Sequence, residues 1–176
     1  MTAQPHGPGT TPRGVGGAAP AATQALAALP LAAILVAAVA MRPHLGTTIA
    51  SHWSGGAHPD GFSPTWGSFW VTVLVTAGLL VFSTVASTFA RRASWSRVWP
   101  AIATTVGGML ACSWILSAWA TAAAPSPAEA TLGPRLVLLL PALACGAGIY
   151  LLLPPTPAPH TAGARRPVRQ VQPGEA

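Results

Sequence analysis

Three of the five histidines and one of the three acids fall in one segment, RPHLGTTIASHWSGGAHPDGFSPT, residues 42–65. Its histidines are His44, His52 and His58, and its acid is Asp60. These residue types allow three kinds of chemistry. An imidazole held by a carboxylate has a fixed tautomer, and a His52–Asp60 hydrogen bond across two turns would pin the segment. His44, His52, His58 and Asp60 are also the ligand types of a metal site, although their spacing follows no standard motif. Ser51, His52 and Asp60 include the members of a hydrolytic triad. Adjacent Ser and His side chains do not align as nucleophile and base, and no nucleophile elbow is present. The expectation is therefore a structural His–Asp contact, no catalytic residue and no cofactor. The remaining use of such a segment is recognition of a ligand or peptide, with Trp53 and Phe62 contributing.

Turn residues dominate the same stretch. His58-Pro59-Asp60-Gly61 fits a type I turn, with proline second and glycine fourth. Ser54-Gly55-Gly56 supplies another bend. A compact loop is expected.

The rest of the chain must hold that loop in place. Of 176 residues, 51% are hydrophobic and only 7% charged. A soluble domain carries roughly a quarter charged residues. So few charges cannot keep a particle of this size dispersed in water, whereas lipid can cover an apolar surface. Four apolar runs follow one another at 21–41, 66–90, 98–120 and 134–153. About 20 helical residues cross a bilayer core, and each run reaches that length. Apart from Arg135 at an edge, they hold no Asp, Glu, Lys, Arg or His. The runs are twice the length of a barrel strand, so helices are expected. The fold class is an all-α integral membrane protein. Four transmembrane helices form two hairpins, with a compact outer loop between helices 1 and 2. Residues 1–20 and 154–176 are rich in Pro, Gly and Ala, lack material for a core, and read as disordered tails.

Pro30 lies inside the first run. A helix starting there would leave about 18 Å before Met41, too short to cross. The helix is expected to begin near Ala21 or Ala22 and to bend at Pro30. Ala38-Val39-Ala40 resembles a signal-peptide cleavage site, but the long Pro/Gly-rich leader with only Arg13 makes a poor charged region before it.

The net charge is +6, and every basic residue is arginine. The arginines flank apolar runs and form no patch, which argues against a nucleic-acid partner. Arg13, the cluster Arg91, Arg92 and Arg97, and the group Arg165, Arg166 and Arg169 fall on one side; Arg42 and Arg135 fall on the other. Both termini are therefore expected in the cytoplasm, with loops 42–65 and 121–133 outside. The tryptophans agree: Trp66, Trp70 and Trp119 mark the outer level, Trp95 and Trp99 the inner one. Small-residue pairs (Ala103/Gly107 and Thr104/Gly108 in the third run, Ala142/Gly146 and Ala144/Gly148 in the fourth) predict close packing of those helices. Cys112 and Cys145 differ in depth by roughly 9 Å, so no disulfide is expected.

One motif is more specific than these patterns. Ile49-Ala50-Ser51-His52-Trp53, then Gly56, then Pro59-Asp60-Gly61-Phe62, placed between two spans, resembles the hallmark of the family called domain of unknown function 1648. The resemblance covers about residues 25–90. Ala50 stands where the family pattern has proline. The same domain opens larger proteins similar to a bacterial immunity protein against a sporulation-delaying toxin. The resemblance implies a non-enzymatic bacterial cell-membrane protein engaged in envelope sensing, immunity or partner signalling. The motif residues Ile49, Ser51, His52, Trp53, Gly56, Pro59, Asp60, Gly61 and Phe62 would be its working surface. Implied partners are the lipid bilayer, a peptide, toxin or membrane protein, and further copies of the chain. The alternatives are a subunit of a small transporter or channel, and a metal-dependent membrane enzyme. Coupled transport usually needs ionisable groups within the membrane, and the spans offer none.

Overall fold

The computed structural model describes residues 18–55, 57–91 and 97–154, so the tails 1–17 and 155–176, Gly56 and residues 92–96, with Arg92 and Trp95, lie outside the described residues. The described chain is mostly helical. Helix α1 spans Ala18–Met41, α2 Thr65–Arg91, α3 Val98–Ala122 and α4 Leu140–Leu152. Four segments are long and apolar enough to cross a membrane, the fourth running from Gly133 to Leu152. They suit a multi-pass membrane protein.

α1 starts at Ala18, earlier than expected, so residues 18–20 belong to the helix and not to the tail. Ala18 and Ala19 are strong helix formers, and Pro20 sits in the first turn, where its missing N–H has no partner to lose. Pro30 is accommodated within the helix and buried against α3, where its Cγ would lie 3.6 Å from a Cβ placed on Gly108.

α3 is the central helix. Over half of its most apolar window (56%) is buried, against 17–28% for the other three. It packs on α1, α2 and α4, and α1 also touches both α2 and α4, so the helix pairs α1–α2 and α3–α4 join in one bundle. Each contact of α3 has its own chemistry. Toward α2, the Ser83 hydroxyl donates to the Pro100 carbonyl at 3.1 Å and lies 3.0 Å from the Thr104 hydroxyl. Phe69 and Trp114 rings meet at 5.2 Å, and the Trp114 indole N–H donates to Ser68. Toward α4, a Cβ on Gly108 would come within 2.8 Å of the Ala142 Cβ. A Cβ on Gly146 would strike Thr105 and lie 2.9 Å from the Ala101 carbonyl. The expected small-residue contact of these helices thus forms through Gly108, Ala142 and Gly146. Gly107 turns instead toward Thr76 and Leu79 of α2, and Gly148 toward Leu26 of α1. Cys112 and Cys145 are unbridged.

Two elements differ from an all-α reading. The loop after α1 is a β-hairpin, described below. The fourth span begins as a 3-10 helix, Gly133–Leu139, and becomes α-helical only at Leu140. Pro141 sits at the junction. It has no N–H to donate to the Val137 carbonyl, and the Leu140 N–H takes that carbonyl in the tighter 3-10 pattern.

Candidate functional site

The segment after α1 opens with a 3-10 turn, Arg42–His44, at whose second residue Pro43 is well placed. Strand β1, Thr48–His52, then pairs antiparallel with β2, Gly61–Pro64. Thr48 faces Pro64, Ile49 faces Ser63, Ala50 faces Phe62 and His52 faces Gly61. Ser51 is an extra residue, a bulge in β1. The bulge breaks strict alternation. Ile49 and Ala50 are both buried, while Ser51 and His52 are both exposed.

Ile49 enters a core cluster with Ile34, Ala38, Phe69, Ala111, Trp114 and Ala118. Ala50 packs with Ala120 and Ala130 at the far end of α3. Its N–H donates to the Thr121 hydroxyl at 3.0 Å, and that hydroxyl donates to the Ser117 carbonyl at 2.8 Å. The Trp53 indole N–H donates to the Ala130 carbonyl at 3.3 Å. β2 runs directly into α2, and Thr65 fastens the junction. Its N–H donates to the Thr47 carbonyl and its hydroxyl to the Gly46 carbonyl, at 2.9 and 2.8 Å. The hairpin is thus anchored to α2 and α3 and to the connection between α3 and α4.

At the exposed end, His52 Nδ1 lies 2.7 Å from Asp60 Oδ1. A carboxylate only accepts, so Nδ1 carries the proton and Nε2 points away from the carboxylate. The Ser54 hydroxyl donates to the other carboxylate oxygen, Oδ2. These two bonds, Ser54 first and His52 second, hold the Asp60 carboxyl below its ordinary pKa of 3.8. The Asp60 N–H donates to the His52 carbonyl at 3.0 Å. The expected type I turn over His58–Gly61 is therefore replaced: the ladder captures Gly61, and Asp60 closes on His52. A Cβ on Gly61 would lie 2.7 Å from the His52 Cβ, so only glycine fits there. Gly55, with φ +93°, supplies the bend expected over Ser54–Gly56.

The other candidates separate. Ser51 accepts a hydrogen bond from Ser63 at 2.9 Å, so it is paired across the strands and not with His52. His58 is exposed on the loop, and His44 lines a small polar recess with Thr121 and Ser126. Among the described residues no three of His, Cys, Asp and Glu come together to hold a metal. Phe62 is 48% exposed. Beside Trp53, a recess of about 530 Å³ opens between the hairpin and the α3–α4 connection, lined by Gly55, Ala57, Leu132 and Leu136.

Sequence reasoning missed Ser54, Ser63, Thr121 and the Ala130 carbonyl. The first two lie at hydrogen-bonding spacing from Asp60 and Ser51 and could have been proposed. Thr121 and Ala130 contact the hairpin across more than seventy residues, and no local pattern points to them. Compared with known proteins, the chain matches no family model, no curated protein and no solved structure.

Proposed function

We propose that the chain is a non-enzymatic bacterial cell-membrane protein. It senses or blocks a peptide or toxin, or signals to a membrane partner, through hairpin 42–65. One observation carries the reading. The segment is ordered far beyond what a connection between two spans requires, with its backbone tied to α2 and α3 and its polar tip turned outward. Ordering a chain costs about 1–2 kcal/mol per residue in backbone entropy. An anchored, bulged hairpin presenting His52, Asp60 and Phe62 beside an apolar recess suits recognition better than catalysis. The resemblance of 49–62 to the domain of unknown function 1648 motif supports the same reading. So does the arginine distribution, which assigns the hairpin to the outer face and both termini to the cytoplasm.

The test is to replace His52 and Asp60 separately and challenge cells with envelope-active peptides at matched protein levels. Altered sensitivity in both variants is expected. Sensitivity equal to wild type in both would sink the proposal.

A further inference from the structure

A second recess lies away from the His52–Asp60 tip, where α1 meets α2. Ala38 and Phe69, 5% and 4% exposed, form its floor. Leu35 and Val39 make one wall, Trp66 and Trp70 the other. The recess measures about 450 Å³, within the usual range for small-molecule sites. Both indoles are set edge-on against Phe69, with ring centroids 5.8 and 5.0 Å away, so the aromatic wall is built and not loose. Val39 and Trp70 are 77% and 58% exposed, and the groove is open on the side where α1 and α2 would face lipid.

Arg42 stands at the mouth. Three arginine side chains are described, and two are satisfied internally. Arg97 donates to the Tyr150 hydroxyl and stacks on its ring at 4.0 Å. Arg135 donates to the Thr131 carbonyl and lies 4.7 Å over Trp119. Arg42 has no hydrogen bond or ion pair among the described residues. Neither described acid reaches it, since Asp60 is held by His52 and Ser54, and Glu129 by Ser126. The indole N–H groups of Trp66 and Trp70 also have no acceptor among the described residues.

Leu35, Val39 and Arg42 share one face of α1 and its continuation. Seven helical residues separate Leu35 from Arg42, about 10 Å along the axis. The groove therefore runs from the level of a cation, flanked by two tryptophans, into the apolar layer. A guanidinium at such a boundary, with no counter-ion of its own, favours a phosphate, which it can bind through two parallel N–H donors.

We propose that this groove binds an anionic phospholipid of the adjoining leaflet. Its phosphate sits on Arg42, and the first part of one acyl chain lies over Ala38 and Phe69 between Val39 and Trp70. The occupant is a lipid and not free phosphate, because the recess beneath Arg42 is apolar on every side.

The full chain, purified and delipidated in detergent, is titrated with phosphatidylglycerol, with phosphatidylcholine of the same acyl chains, and with inorganic phosphate. Native mass spectrometry reads bound lipid. Both lipids offer Arg42 the same phosphodiester, but the quaternary ammonium of phosphatidylcholine opposes the guanidinium, so phosphatidylglycerol is expected to bind about tenfold more tightly. Arg42→Gln brings the two lipids level, and Arg135→Gln leaves their ratio unchanged. Val39→Trp fills the groove without touching Arg42 and lowers binding of both lipids, with helicity by circular dichroism unaltered. An Arg42→Gln chain that keeps the wild-type preference overturns the proposal. So does a Val39→Trp chain that binds lipid as wild type does. Displacement of phosphatidylglycerol by equimolar inorganic phosphate also overturns it, since the groove would then contribute nothing.

Discussion

Asp60 is the most heavily engaged side chain on the exposed face of the hairpin. It accepts from Ser54 and His52, and its own N–H closes the loop on the His52 carbonyl. Its carboxyl titrates below the ordinary value of 3.8, so the folded hairpin prefers the ionised form. The stabilisation is complete above that ordinary value and is lost as pH falls through the lowered one. Exchange protection at Ala50 and Asp60, taken relative to the intrinsic rate at each pH, should therefore be constant near neutrality and should fall in strong acid. Asp60→Asn should show the reduced protection already at neutral pH, with no further loss in acid. Gly61→Ala acts by sterics instead. Its methyl would meet the His52 Cβ, and the strands must part at a cost of about 1–3 kcal/mol, the usual scale for overpacking. Loss of exchange protection at Ala50 and Asp60, whose N–H groups bond Thr121 and the His52 carbonyl, checks that outcome. The His52–Asp60 contact was readable from sequence, because eight residues with glycine bends between them leave few other partners. The Ser51 pairing was not, because a bulge moves Ser51 off the face that simple alternation assigns to it.

Among the elements, α3 carries the most contacts of different kinds, and each kind can be broken separately. Thr121→Val keeps the side-chain shape but leaves the buried Ala50 N–H without an acceptor. A buried unsatisfied donor costs about 1–3 kcal/mol. Thr121→Val should raise exchange across the hairpin while leaving α4 protected. Gly146→Leu drives a side chain into Thr105 and the Ala101 carbonyl. It should lower thermal stability in detergent by at least the scale of one overpacked core residue, about 1–3 kcal/mol. Gly78→Ala, where nothing lies within 4 Å of the added methyl, should be neutral or slightly stabilising. Length and hydropathy made the four helices legible in the sequence. The hairpin strands were not legible. Thr48 and Ile49 are the only β-branched residues among the register partners, and the strands hold five and four residues. Such short strands owe their order to the helices beneath them, which a local pattern does not contain. Small-residue spacing indicated that α3 and α4 approach closely. It did not say which glycine faces which helix, because Gly107 and Gly108 are neighbours pointing to different partners.

For the molecule as a whole, apolar composition fixed the architecture, and the arginines suggest its direction. The described structure has the hairpin and the α3–α4 connection at the same end of the bundle, joined through Trp53 and Ala130. An Ala57→Cys chain tests the orientation, since Ala57 is exposed at the hairpin tip while Cys112 and Cys145 lie within spans. A membrane-impermeant maleimide should label intact cells carrying the variant and not those carrying wild type. Labelling only after permeabilisation would reverse the assigned topology. The fourth span has a further consequence at this scale. Its first seven residues are 3-10 and rise about 2.0 Å each, against about 1.5 Å in an α-helix. Twenty residues therefore reach about 3.5 Å farther than an uninterrupted α-helix would. That increment is comparable to the difference in hydrocarbon thickness between thin and thick cellular bilayers. The fourth span thus reaches about 34 Å, enough to cross a bilayer core of about 30 Å, while staying shorter than α2 and α3.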